Sequence, residues 1–137
     1  MAEDRIELLA VVVAQLQTTL NRADRAMADV LAVGSAEDLQ VLRLLLAEAP
    51  LRVTELARRQ SSSVATASAR LDRLEKRELV LRERAPGDRR AVVVRLTTRG
   101  RRLATKSRAS RLSALEPLAE HYPIEDLQHL IAALEGD

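Results

Sequence analysis

The spacing of apolar residues changes once along this chain from a helical to an alternating pattern, and that change limits the folds open to it. Up to about residue 77, apolar residues recur every three or four positions, as in helices. From Leu79 to Ala85, and again from Ala91 to Leu96, apolar and polar residues alternate, as in strands. The second run places three apolar residues on one face: Val92, Val94 and Leu96. Pro86-Gly87-Asp88 predicts a turn between the runs. We therefore expect one two-stranded hairpin in an otherwise helical chain.

Capping and breaking residues divide the rest of the chain into helices. Four helices are expected before the hairpin and two after it. The boundaries are marked by Ser35 as the cap of the second helix, Pro50 at its end, Thr54 as the cap of a brief third helix, Ser61-Ser62-Ser63 before the fourth, Thr97 or Thr98 before the fifth, Pro117 at its kink or end, and Pro123 at the start of the sixth. The predicted fold class is mainly α with a small β-hairpin.

The first helix carries a heptad-like apolar stripe. Its members alternate spacings of four and three residues: Leu9, Val13, Leu16, Leu20, Ala23, Met27 and Val30. Such a helix extends beyond what a compact domain of this size can cover, because each residue adds about 1.5 Å. We expect a second copy of the chain to cover the stripe, and packing within the same chain is the alternative. The last helix also has an apolar face, made of Leu127, Leu130, Ile131 and Leu134.

The composition is that of one globular domain over residues 1–137. Hydrophobic residues make up 47% and charged residues 31% of the chain, and no apolar run approaches the length of a membrane span. Glu3, Asp4 and Glu7 stand where a secretory signal would be cationic, so a cytoplasmic location and no membrane partner are expected. The absence of cysteine excludes disulfides, thiolate nucleophiles and Cys-based zinc motifs.

Charge is strongly segregated along the chain, although the net charge is only +2. Residues 52–111 hold 18 Lys and Arg against 6 Asp and Glu, and the remaining residues hold 4 basic against 14 acidic. A basic block of this extent is typical of a surface that binds the phosphates of a polyanion. A solvated charged surface is the alternative.

The fourth helix is the candidate recognition element of a helix-turn-helix. Its expected inward stripe is Val64, Ala67, Leu71 and Leu74. Its outward face starts with small and hydroxylated residues, which would let it approach base edges in a major groove. The candidate contacts are Ser62, Ser63, Thr66, Ala69, Arg70 and Arg73.

The hairpin supplies a second candidate contact. Arginines at its tip could enter a minor groove or hold phosphates, and the candidate residues are Arg84, Asp88, Arg89 and Arg90. Asp88 is out of place beside phosphates unless its carboxylate orients the guanidinium of Arg90 or Arg89. Stabilisation of the turn is its alternative role.

Asp88-Arg89-Arg90 followed by Val92, Val94, Leu96-Thr97 and Gly100 resembles the D-x-R…L-T-x-x-G signature of the MarR (multiple antibiotic resistance regulator) family of winged helix-turn-helix regulators. Residues 71–80 resemble the end of that family's recognition helix, and the element order matches over nearly the whole chain. The resemblance implies a dimerisation region at residues 1–33 and 98–137 and a DNA-binding region at residues 35–97. The implied dimer interface contains Leu9, Val13, Leu16, Leu20, Leu127, Leu130, Ile131 and Leu134. The resemblance also implies a homodimer on a pseudo-palindromic double-stranded operator, usually repressing, with a small-molecule effector in many members.

Three departures from the family pattern affect these expectations. Ser61 and Glu78 stand where glycines are common, so both turns are expected to be tighter or differently shaped. Ala69 takes the place of an outward basic residue. This shifts the expected base reading to Thr66, Arg70, Arg73 and the arginines of the hairpin, which corresponds to the wing of this family. Tyr122 is the single aromatic residue, so no aromatic-lined effector pocket is indicated.

Catalysis, cofactors and metal binding are not expected. His121 and His129 are the only histidines, and they lie eight residues apart without a metal-spaced carboxylate motif. No glycine-rich phosphate loop or nucleophile motif is present. The remaining alternatives to a sequence-specific regulator are a winged-helix module that docks on an acidic protein and a sequence-independent DNA-binding protein.

Overall fold

The structure, a computed structural model in which residues 1–136 are described, is mainly helical with a small antiparallel sheet. In chain order the elements are α1 (Ala2–Val30), α2 (Ala36–Glu48), β1 (Leu51–Arg52), α3 (Val53–Arg59), α4 (Val64–Lys76), β2 (Val80–Ala85), β3 (Asp88–Leu96), α5 (Thr98–Ala119) and α6 (Ile124–Glu135). The predicted fold class and helix order are confirmed. Asp137, the last residue of the expected dimerisation region, lies outside the described residues.

The sheet has three strands in the order β1-β3-β2, so the prediction of a two-stranded hairpin was incomplete. The added strand is β1, whose Leu51 and Arg52 pair antiparallel with Val94 and Val93. Two residues are too few to produce an alternating pattern, which is why the sequence indicated only an extended piece there. α3 then begins directly at Val53, so Thr54 is not its cap.

The hairpin turn is shorter than the sequence indicated. Ala85 pairs with Asp88, so only Pro86 and Gly87 lie between the strands. Gly87 has a φ of +80°, a conformation that glycine adopts without steric cost. Arg89 and Arg90 therefore belong to β3 rather than to the turn.

β3 is covered on both faces at Val93 and Val94. Val94 is fully buried and Leu96 half-buried on the face that was predicted, but Val92, on the same face nearer the tip, is 41% exposed. Val93, on the opposite face, is buried as well. Simple alternation predicts one buried face, whereas α2, α3 and α5 all contact β3.

The core lies between the helix-turn-helix and the base of the sheet. Its largest fully buried side chains are leucines and valines, among them Leu39, Leu42, Leu45, Leu56, Leu71, Leu74, Leu79, Val80 and Val94. This core anchors α4 and both long strands to α2, so the candidate DNA-binding elements share one rigid support.

A charged cluster joins α1, α2 and α5 beside that core. The Asp24 carboxylate accepts two hydrogen bonds from Arg43, at 3.0 and 3.1 Å, and one from Arg111 at 2.7 Å. Arg43 also donates to the buried hydroxyl of Ser107 at 2.7 Å. Burial lowers the pKa of the Arg43 guanidinium, and the adjacent Asp24 carboxylate opposes that change. The cluster therefore depends on one carboxylate to compensate two guanidinium groups.

The two terminal helices lie largely outside this core. In α1, Leu9 and Val13 are exposed, whereas Leu16 and Leu20 are half-buried. Residues buried by the rest of the protomer occur in α1 only from Asp24 onward, and α6 buries none. Pro117 lies inside α5, which continues to Ala119, so this proline does not end the helix.

Candidate nucleic-acid interface

The turn between α3 and α4 is built by local hydrogen bonds. The Ser63 hydroxyl accepts from the backbone N–H of Thr66 at 3.0 Å and donates to the Thr66 hydroxyl at 2.9 Å. This confirms the predicted serine cap of α4. The side-chain amide of Gln60 donates to the Glu37 carbonyl and to the Gln40 side chain, both at 2.9 Å. The start of α4 is thereby fixed against α2.

Both ends of α4 are bounded by a residue with left-handed backbone. Ser61 has a φ of +49° and Glu78 a φ of +60°. The expectation of tighter or differently shaped turns was wrong, because these residues adopt the conformation that glycine favours. Ser61 and Glu78 therefore adopt the backbone conformation typical of glycine, although their side chains make that conformation sterically unfavourable.

Replacing Glu78 by glycine is expected to raise the free energy of unfolding by about 1 kcal/mol, because a left-handed backbone costs a residue with a side chain about 1–2 kcal/mol. Urea denaturation measures the change. Glu116→Gly, in the exposed part of α5, is the matched control and should lose about 1 kcal/mol through helix propensity. Equal losses in both variants would show that the positive φ carries no strain.

The first half of α4 presents the short side chains that were predicted to face outward. Ser63, Thr66 and Ala69 are exposed and Ser62 is half-buried. Ala67, Leu71 and Leu74 are buried as expected, but Val64, assigned to the same stripe, is 49% exposed. Val64 stands at the first position of the helix, where the core no longer reaches.

The two predicted arginines of α4 are engaged within the protein. Arg70 donates to the Gln60 side chain at 2.9 Å. Arg73 donates through two nitrogens to Asp38, at 3.0 and 3.3 Å, and Asp38 is fully buried. The structure therefore does not bring these two guanidinium groups to the open face beside Thr66.

The wing presents exposed arginines. Arg84, Arg89 and Arg90 are exposed, and no acidic group lies within salt-bridge distance of them among residues 1–136. Asp88 accepts from the backbone N–H of Arg90 at 3.0 Å, so its carboxylate stabilises the turn and does not orient a guanidinium. The wing thus carries uncompensated positive charge.

Sequence reasoning missed three residues that hold these elements together. Arg82 of β2 bridges to Asp72 and to Glu75 of α4, the latter at 2.9 Å. Asp38 and Gln60 hold the other side of α4. Their partners lie on other elements, so no local spacing signals them.

The predicted interface residues of α6 are all exposed in the protomer: Leu127, Leu130, Ile131 and Leu134. Among residues 1–136, no cluster of three or more potential metal-ligating side chains occurs. Within that same range, no helix combines the length and apolarity needed to cross a membrane.

Comparison with known proteins adds similarities in sequence and in structure. Residues 35–92 match the model of the MarR family. An uncharacterised HTH-type transcriptional regulator of Bacillus subtilis (strain 168), YfiV, is 36% identical over 69 residues, which are 50% of this chain. The chain spans only 43% of the length of that relative.

Two solved structures share the fold over nearly the whole chain. CouR from Rhodococcus jostii RHA1 bound to p-coumaroyl-CoA is 24% identical, with a TM-score of 0.75 over 98% of this chain and 91% of that one. A mutant of S. aureus MepR bound to an oligodeoxyribonucleotide is 19% identical, with a TM-score of 0.65 over 93% and 94%. These likenesses concern the fold, since both identities are low.

Proposed function

The chain is a member of the MarR family of winged helix-turn-helix transcriptional regulators, and on that premise we propose that it acts as a homodimer that binds a pseudo-palindromic DNA operator and represses transcription. Residues 35–97 form the DNA-binding region in this proposal, and residues 1–33 and 98–137 form the dimerisation region. Repression follows if the bound dimer excludes other proteins from a promoter.

The observation that carries the DNA-binding proposal is the pairing of an open recognition face with a positively charged wing. The first half of α4 offers Thr66 and Ala69 without bulky or acidic neighbours in the outward direction. A helix of that kind can approach base edges in a major groove closely. The uncompensated Arg84, Arg89 and Arg90 are suited to phosphates or to a narrow minor groove. The likeness to MepR, which was solved with an oligodeoxyribonucleotide, supports this assignment.

Dimerisation is supported by the terminal helices. α6 buries no residue in the protomer although four of its aliphatic side chains lie on one face. The first half of α1 is also exposed, with Leu9 and Val13 about half accessible. Apolar surface of this extent is typical of an interaction site. A second copy would cover both helices and present two α4 helices to successive major grooves, about 34 Å apart.

A small-molecule effector completes the proposal. CouR was solved with p-coumaroyl-CoA, and its fold matches this chain closely. Tyr122, the only aromatic residue, is exposed, so we propose an aliphatic or charged site for the effector rather than an aromatic-lined one.

Selection of bound duplexes from genomic fragments tests the function. We expect a protein with twice the 15.2 kDa mass of the chain by light scattering, and recovery of an inverted repeat. We expect the selected duplex to bind roughly 1,000-fold more tightly than an unrelated one. Binding without sequence preference would indicate an architectural DNA-binding protein. A monomer that binds no duplex in dilute buffer would contradict the proposal, and capture of an acidic protein instead would indicate a docking module.

Wing variants give this experiment its control. The double variant Arg89→Ala/Arg90→Ala should weaken binding and reduce the slope of log affinity against log salt by about 0.9 per lost phosphate contact. Because Asp88 bonds the backbone of Arg90, the turn is retained in this variant. Arg25→Ala, which removes an exposed arginine of α1 outside the basic block of residues 52–111, should leave the slope unchanged.

A further inference from the structure

Arg73 stands on the recognition helix but is bound to a carboxylate of the protein interior. Its Nη2 lies 3.0 Å from Oδ1 of Asp38 and its Nε lies 3.3 Å from Oδ2. The Asp38 side chain is fully buried, whereas that of Arg73 is 48% exposed. The backbone N–H of Asp38 donates to the Ser35 hydroxyl at 3.1 Å, which fixes Asp38 in the first turn of α2.

This ion pair resists exchange for a DNA contact. Charge-assisted, two-point bonds between Arg and carboxylate are among the stronger polar interactions of proteins. The hydrogen bonds that Arg73 donates to the Asp38 carboxylate raise the pKa of the Arg73 guanidinium, in line with a firmly bound cation. If Arg73 moved to a phosphate or a guanine, the buried carboxylate would lose its counter-ion, which is strongly unfavourable.

Two further arginines hold the second half of α4, in which Arg73 lies. At its end, Arg77 donates to the Ala32 carbonyl at 2.7 Å, in the loop that joins α1 to α2. On the other side, Arg82 of the wing bridges to Asp72 and Glu75. The second half of α4 is therefore connected to the end of α1, the start of α2 and the wing, while the first half is free to enter a groove.

We propose that Arg73, paired with Asp38, is a positioning residue that sets the angle of α4 to the body of the protein and contacts neither phosphate nor base. The inference rests on the proposed DNA binding and reassigns a residue that the sequence indicated as a DNA contact. The link through Arg77 to the loop after α1 transmits the same orientation to the dimerisation region.

The salt dependence of operator binding separates positioning from contact. We expect Arg73→Ala to weaken binding to the selected duplex roughly tenfold, the size of one disturbed base-pair contact. Its slope of log affinity against log salt should equal that of the wild type, because no phosphate contact is lost. A slope reduced by about 0.9 would mean a lost phosphate contact and would overturn the assignment.

Asp38→Asn provides the decisive second variant. Asp38 cannot reach DNA because it is fully buried, so a loss matching that of Arg73→Ala supports positioning. If Arg73 were a DNA contact, Asp38→Asn would release it, and binding would stay equal or become tighter. The variant that combines Arg73→Ala with Asp38→Asn should bind no worse than either single variant, since each single change already removes the interaction between Arg73 and Asp38.

Separate controls distinguish a loss of folding from a loss of DNA binding. Thermal melts and light scattering establish that each variant is a folded dimer at the temperature of the titration. If Asp38→Asn fails to fold, the pair Asp38→Leu/Arg73→Met replaces the ion pair by apolar side chains of similar size and should bind more tightly than Arg73→Ala. Wild-type protein that binds no duplex would overturn the proposed function together with this inference, whereas a changed slope in Arg73→Ala would overturn this inference alone.

Discussion

Asp24→Ala is expected to lower the free energy of unfolding by about 3–5 kcal/mol, because it leaves two guanidinium groups near the core without their shared counter-ion. Arg43 is the more buried of the two, with 15% of its side chain exposed against 29% for Arg111. Arg111 can turn toward water, but Arg43 cannot do so without opening the junction of α1, α2 and α5. Denaturant unfolding at constant protein concentration measures the loss.

Two comparisons test the cause of that loss. Asp29→Ala, at an exposed position of the same helix, should change stability by less than about 0.5 kcal/mol. Asp24→Leu combined with Arg43→Met removes the buried charge pair and should be more stable than Asp24→Ala, since apolar replacement of a buried ion pair is often neutral or favourable. If the combined variant were the less stable one, the effect would not come from an uncompensated charge.

The parts of the fold that depend on local pattern were predictable. Ser35, Ser63 and Thr97 each accept the backbone hydrogen bond of a helix start, as their types and positions indicated. The change to alternating residues located β2 and β3 to within a few positions. These features follow from interactions between residues close in sequence.

The parts that depend on contacts between distant residues were not predictable. Arg73 and Asp38 are 35 positions apart, and Arg111 and Asp24 are 87 apart. No periodicity relates such pairs, so Arg73 was indicated as a DNA contact from its place on the helix alone. Its counter-ion became visible only through the packing of α4 on α2.

Exposure at the edge of the core was a source of error. Val64 and Val92 follow the spacing of their apolar faces, yet each is exposed because it lies at the edge of the core. Leu127 and Leu130 also follow the spacing of their apolar face, and they are exposed in a helix that buries no residue at all. Isolated exposure reflects the limit of a core, whereas a whole exposed face supports the proposed dimer.

Gly100→Ala is expected to destabilise the protein by about 3 kcal/mol, the upper end of the range for overpacking. An ideal Cβ at this position would lie 1.9 Å from the carbonyl oxygen of Leu79, a backbone atom that cannot turn away. Thr97 donates to the Glu78 carbonyl at 2.7 Å and caps α5 through the Gly100 N–H, so α5 cannot separate easily from the end of α4. Thermal and urea unfolding measure the effect.

Gly87→Ala separates this steric clash from backbone strain. Gly87 has a φ of +80° and no atom within 4 Å of its ideal Cβ, so alanine there should cost only about 1–2 kcal/mol, from its backbone conformation. Gly100 has no positive φ, and in a helix alanine would otherwise be favoured by about 1 kcal/mol. A loss at Gly100 larger than that at Gly87 therefore measures the close approach of α5 to Leu79. If Gly100→Ala were neutral, α5 would have room to move away from α4, and the rigid connection between α4, the β2–β3 hairpin and α5 would be disproved.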